Sequence, residues 1–214
     1  MSQILKIRKM KRAIQLVSVA VVALTISTAF IVEVKPELEI GKAIPSADTK
    51  MMDISGKEVT LSEAKGENGL LVMFSCNTCP YVKLSEARIK EVAKLAKANK
   101  IGVILINSNE AQRADEDSFE AMKKYASLQG YDFNYVVDKN SVVADAFGAT
   151  RTPHCFLFDK KGLVYRGAID DNIKDADDAK EHYLKDAINS VGTGKAVKTN
   201  STKSVGCSIK RVEE

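Results

Sequence analysis

The sequence lacks tryptophan altogether, has only two histidines and four cysteines in 214 residues, and shows no internal repeat. Without a repeat, stacked-repeat architectures are excluded. With only His154 and His182, any chemistry that needs an imidazole is confined to two positions. A broad basic surface is lacking too. The formal net charge is +4, but Lys6, Arg8, Lys9, Lys11 and Arg12 crowd the first segment with no acid among them. The rest of the chain is slightly acidic, so no nucleic-acid partner is expected.

A charge-free run, AIQLVSVAVVALTISTAFIV, comes directly after the basic segment. Its length fits one membrane-spanning helix with the basic flank left in the cytoplasm. The alternative is a cleaved signal peptide, because Ser27, Thr28 and Ala29 resemble a small-residue cleavage site. Phe30, Ile31, Val32 and Val34 continue the apolar character beyond it, which favours an uncleaved signal-anchor. Either reading puts the remainder outside the cytoplasm. The expected organisation is a basic region at 1–12, an anchor at 13–34, one domain at 35–192 and a polar tail at 193–214 carrying Cys207. For a bacterial chain this is a single pass through the inner membrane with the domain in the periplasm.

Within the domain, residues 33–45 read as a tether. Two short strands flank a turn at Ser55, Gly56 and Lys57. Residues 69–75 and 101–107 are continuous apolar runs, the mark of strands buried on both faces. Helices are expected at 80–100, 116–128, 141–147 and 175–191. A strand at 133–137 and a hairpin of 155–159 with 163–167 complete the pattern. Asp170 and Asp171 read as a helix-start signal on a solvated loop, and the tail after 192 as loosely held. Strands alternating with helices, then an antiparallel hairpin and a last helix, predict an α/β fold. Its mixed central sheet has helices on both faces.

The chemistry concentrates in LLVMFSCNTCPYVK, where a buried strand runs into Cys76, Asn77, Thr78, Cys79 and Pro80. Four cysteines in an exported chain suggest structural disulfides, but a bridge between Cys76 and Cys79 closes almost no loop. With a helix starting inside the motif, Cys76 falls near the N-cap and Cys79 in the first turn. Unpaired N–H groups and the helix dipole then stabilise a thiolate at Cys76, and Pro80 is tolerated. A strand-to-helix Cys-x-x-Cys outside the cytoplasm therefore signals thiol redox chemistry. Thr152-Pro153, just ahead of an apolar strand, is a second element. A cis bond there would leave neighbouring backbone free to pair with a substrate's chain.

From about 40 to 191 the chain resembles the thioredoxin-like superfamily, nearest its redoxin and ResA/TlpA-like branch. The matching stretches are CNTCPYVK, INSN, EDSFEAM, FGATRTPHCFLFDKKG, YRGAIDDN and, in the tail, GCSIK. The resemblance implies a thioredoxin-like fold with Cys76 as exposed nucleophile, Cys79 as resolving cysteine, and Thr152 with a cis Pro153 as substrate-binding elements. It also implies disulfide exchange with protein dithiols, a membrane-borne thiol donor of electrons, and no cofactor. Two departures stand out. Ser75 occupies the usual tryptophan position, and the strand before the motif offers no buried carboxylate to take a proton from Cys79. Arg151, Cys155 and Cys207 are candidate modulators of the site.

Two other functions compete. A peroxiredoxin-like peroxidase needs Thr or Ser three residues before its reactive cysteine and Pro seven before. Cys76 has Met73 and Gly69 there, and Cys79 has Cys76 and Val72. A Sco-like Cu(I) metallochaperone would need the two thiolates and a histidine, with His154 the candidate beside Pro153. Its cysteines would be spaced by three residues, not two.

Overall fold

The computed structural model describes residues 36–212. The expected anchor and basic region lie outside the described residues. Among the described residues, no helix is long and apolar enough to cross a membrane.

A seven-stranded mixed sheet forms the core, in the order β2-β1-β5-β4-β3-β7-β8. Its members are β1 (Met51–Asp53), β2 (Glu58–Val59), β3 (Gly69–Ser75), β4 (Ile101–Asn107), β5 (Asn134–Val137), β7 (His154–Phe158) and β8 (Leu163–Gly167). Strands β3, β4 and β5 run parallel, while β7 returns antiparallel beside β3. Every residue of β3 is buried because both faces of the sheet are covered, which is why its sequence is apolar without alternation.

Alternate side chains of the central strands serve two cores. On one face Leu71, Met73, Leu105, Cys155 and Leu157 pack with α2 (Pro80–Ala98), α3 (Phe119–Gln129) and α5 (Tyr183–Gly192). On the other, Leu70, Val72, Phe74, Phe156 and Phe158 meet α1 (Leu61–Ala64) and α4 (Val142–Phe147). There Phe74, Phe147 and Phe156 meet edge-on at 5.1–5.7 Å, each contact contributing ~0.5–1.5 kcal/mol beyond the area it buries.

Several sequence expectations give way to tertiary contacts. The described part of the expected tether is packed: the Leu38 N–H donates to the Phe147 carbonyl, and the Gly41 N–H to that of Leu163. Gly148, in a left-handed conformation at the end of α4, has no room for a Cβ, which would lie 2.2 Å from the Pro36 oxygen. The last helix starts at Tyr183 rather than 175. Residues 175–181 offer no apolar face to bury, and Asp171 instead accepts the Lys180 and Glu181 N–H groups. Asp170 is not solvated: it is buried and paired with Arg88 of α2 at 2.8 Å.

The tail is not loose either. β9 (Cys207–Ser208) pairs antiparallel with β6 (Arg151–Thr152), forming a second, two-stranded sheet. Ile209 is buried in the second core.

Candidate active site

Strand β3 delivers the chain to the site and α2 takes it away. Cys79, not Cys76, is the N-cap of α2, with Pro80 in the first helical position. The shift is due to the proline, which holds the residue before it in an extended conformation. Cys76 therefore lies in the loop ahead of the helix. The Thr152–Pro153 bond is cis. Beside it, the Thr152 hydroxyl lies 3.4 Å from Cys76 Sγ, and the Thr152 carbonyl accepts from Cys79 Sγ at 3.1 Å. Cys76 is not exposed as expected, being 1% accessible, and Cys79 is buried as well at 2%.

The two thiols hydrogen-bond to each other and titrate as a pair. Cys79 is drawn down to about 4, first by the Cys76 thiol and then by groups that include Cys207 and the Val82 N–H at the helix start. Cys76 is pushed up, first by that same bond, then by burial and the nearby Asp117 carboxylate. The Thr152 hydroxyl and the Cys79 N–H pull Cys76 the other way. A carbonyl oxygen 3.1 Å from Cys79 also favours a proton on that sulfur. The first proton thus leaves the pair easily and the second with difficulty, and the negative charge is shared. An independent low pKa at Cys76 is not what this geometry produces.

The motif loop is held by a buried carboxylate that sequence reading missed. Asp117 is fully buried. It accepts the Asn77 backbone N–H at 2.8 Å, the Asn107 amide at 2.7 Å and the Asn109 amide at 2.8 Å. The Asn77 amide donates to the Glu116 carbonyl, and Tyr135 donates its hydroxyl to Asn77 Oδ1. Three donors offset the cost of burying the charge. The same diversion explains why α3 starts at Phe119 with Ser118 as its cap, not at 116. The signal was present in INSN and EDSF, two polar stretches at strand and helix ends, but only the fold brings them under Cys76.

The tail closes the site. Cys207 lies opposite Thr152 and Ser208 opposite Arg151. The Arg151 guanidinium donates to the Gly206 carbonyl at 2.9 Å, and the Ile209 N–H donates to the Thr150 carbonyl at 3.0 Å. Lys210 donates its N–H to Asn109 Oδ1, so the tail and the Asp117 network share a member. The half-buried Cys207 is pushed up to about 11, by burial and then by its hydrogen bond to Cys79.

The redoxin family profile matches residues 39–183. The chain belongs to the redoxin family. Thiol-disulfide oxidoreductase ResA of Geobacillus kaustophilus (strain HTA426) is 28% identical over 155 residues, 72% of this chain and 83% of that one. A hypothetical protein from Sinorhizobium meliloti 1021 superposes with a TM-score of 0.75 at 34% identity, over 84% of this chain and 98% of that one. The thioredoxin domain of a thiol-disulfide oxidoreductase from Bacteroides vulgatus gives a TM-score of 0.50 at 22% identity. It covers 61% of this chain and 89% of that domain, a likeness of fold. The fold of this redoxin is thioredoxin-like.

Around the redoxin site, the remaining candidates separate. Arg151 reaches the tail carbonyl rather than a sulfur. Cys155 is fully buried, its thiol pushed up by burial and then by Asp170. His154 alternates with Cys155 along β7, and its ring lies 4.4 Å from that of Phe156, on the face opposite the cysteines' core. His182 is exposed at the start of α5. Among the described residues, no group of three or more His, Cys, Asp or Glu side chains is placed to hold a metal ion.

Proposed function

We propose that this redoxin is a thiol–disulfide oxidoreductase that exchanges disulfides with protein substrates through Cys76 and Cys79. One observation carries the reading: both sulfurs contact the single residue Thr152, next to the cis Pro153, at 3.4 and 3.1 Å. The ResA relative bears the same activity in its name.

The mechanism uses the shared proton. Cys76 attacks one sulfur of a substrate disulfide while its proton passes along the thiol–thiol hydrogen bond to Cys79. The substrate's first sulfur leaves as a thiolate and takes that proton, which restores the charge on Cys79. Cys79 then attacks Cys76 Sγ in the mixed disulfide and expels the second substrate thiolate. Two electrons leave the dithiol, and one substrate disulfide becomes two thiols. The cycle runs backward when the substrate arrives as a dithiol, and the relative potentials decide the direction: ~30 mV shifts the balance by ~1.4 kcal/mol.

The charge-free run at 13–34 and its basic flank support a signal-anchor that holds the domain on the periplasmic side of the inner membrane. There it would meet exported proteins and draw on a membrane-borne thiol donor. The purified full-length chain, supplied with dithiothreitol, should reduce insulin disulfides. Cys76→Ser should abolish this, and His154→Ala should leave it nearly intact. Tight binding of one Cu(I) that is lost in His154→Ala, with negligible insulin reduction, would overturn the reading.

A further inference from the structure

The edge of β6 beside the cis proline is where an extended substrate chain could pair, yet the protein's own tail already occupies it. β9 sets Cys207 opposite Thr152, the residue that touches both motif sulfurs. Cys207 also packs against the core cluster that holds Cys76 and Cys79, and its thiol and that of Cys79 act on one another's titration. This placement is built by several independent contacts. Gly206 lets the strands approach, since a Cβ there would lie 2.1 Å from the Thr152 oxygen. Arg151 clamps the Gly206 carbonyl, Ile209 is buried, and Arg211 donates to Asp145 and to the Ala149 carbonyl. Accessibility points the same way. Cys76 and Cys79 are 1% and 2% accessible, whereas Cys207 is half-buried.

We propose that Cys207 is a third redox-active thiol of this site, seated where a substrate cysteine would sit and taking the disulfide over from Cys76. The step rests on the oxidoreductase reading above. Once Cys76 and Cys79 are joined, the Cys207 thiolate attacks Cys79 Sγ. The Cys76–Cys79 bond breaks, a Cys79–Cys207 bond forms, and Cys76 leaves as a thiolate that takes up the proton Cys207 gave. One disulfide and one thiol are present before and after, so no outside oxidant is needed. Oxidation of Cys79 also removes the anion that holds Cys207 protonated. The consequence is directional: Cys76 is freed, and the disulfide moves to the half-buried cysteine. While docked, the tail closes the β6 edge, so a substrate chain must displace β9 to pair there.

The test maps disulfides by mass spectrometry in the full-length protein after oxidation with one equivalent of diamide and alkylation at low pH. Wild type should yield both Cys76–Cys79 and Cys79–Cys207 peptides. Cys76→Ser should yield Cys79–Cys207 alone. In Cys207→Ser the Cys76–Cys79 bridge should persist, with its reduction by dithiothreitol slowed several-fold. The proposal falls if wild type contains only Cys76–Cys79 and Cys76→Ser forms no bridge to Cys207, or if Cys207 pairs with Cys155. Insulin reduction separates the two levels. Activity retained with no Cys207 bridge overturns this step alone, whereas absence of both activity and the Cys76–Cys79 bridge overturns the oxidoreductase reading itself.

Discussion

The backbone N–H of Asn77 donates to the fully buried carboxylate of Asp117 at 2.8 Å. That bond ties the loop between the two motif cysteines to the start of α3, and the same carboxylate takes the amides of Asn107 and Asn109. The loop is thereby fixed from beneath, while Thr152 and Cys207 approach it from above.

Replacing Asp117 by Ala should destabilise the protein by ~2–4 kcal/mol in urea unfolding, because three donors lose their acceptor. The shape-conserving Asp117→Asn should act on the chemistry as well. Asp117 raises the Cys76 pKa through its charge, so in a Cys79→Ser background its neutralisation should lower that pKa. Iodoacetamide alkylation followed against pH reads the shift. An unchanged or higher midpoint would show that the carboxylate does not act on the thiol.

The roles proposed for the motif cysteines predict opposite behaviour for the single variants. Cys79→Ser should attack substrates but fail to resolve them, accumulating mixed disulfides on acid-quenched, non-reducing gels. Cys76→Ser should trap none. The reverse pattern would exchange the two roles.

Gly206→Ala forces a Cβ toward the Thr152 carbonyl, a clash of ~1–3 kcal/mol. The tail should undock more often, by ~10-fold for each 1.4 kcal/mol. Alkylation of Cys76 and Cys79 should accelerate accordingly. An unchanged rate would mean that the tail does not shield them.

His154 has no hydrogen-bond partner at either ring nitrogen and is held neutral, its pKa lowered to about 3. Burial is the main cause, with Arg166 and Arg151 adding, and Glu37 3.8 Å away is too weak a partner to reverse it. An unfolded histidine titrates near ~6.5. The depressed folded value therefore contributes stability that is present above that pH and lost as pH falls toward 3. Between pH 7 and 5, His154→Phe should lose ~2 kcal/mol less stability than wild type in urea titrations. Parallel pH profiles would contradict this.

The membrane reading has its own test. The full-length protein should stay in the membrane fraction after carbonate washing, with the folded domain open to protease added on the periplasmic side. A mature N-terminus at Phe30 would replace the anchor with a cleaved signal peptide.

Strands β3 and β4 fall on the residues that the sequence predicts, because a continuous apolar run has few places to be except inside a covered sheet; β8 does so as the return strand of the predicted hairpin. The Cys-x-x-Cys and the Thr-Pro were equally legible, since thiols after a buried strand and a proline before one are local signatures. Segments whose state depends on distant partners were not legible. Asp117 reads as an ordinary acid at a helix start, and its burial arises only because Asn77, Asn107 and Asn109 converge on it.

The tail shows the same division. Its polar composition determined that it could not build a core of its own, and its GCSIK stretch marked where it differs. That Cys207 stands beside Cys79 was decided by tertiary structure. The unpaired edge of β6 needed hydrogen-bond partners, Gly206 alone allowed the approach, and Ile209 had an apolar seat to fill. Local sequence sets which conformations a segment can adopt. Which of them is kept depends on backbone groups and cavities supplied by residues far away in the chain.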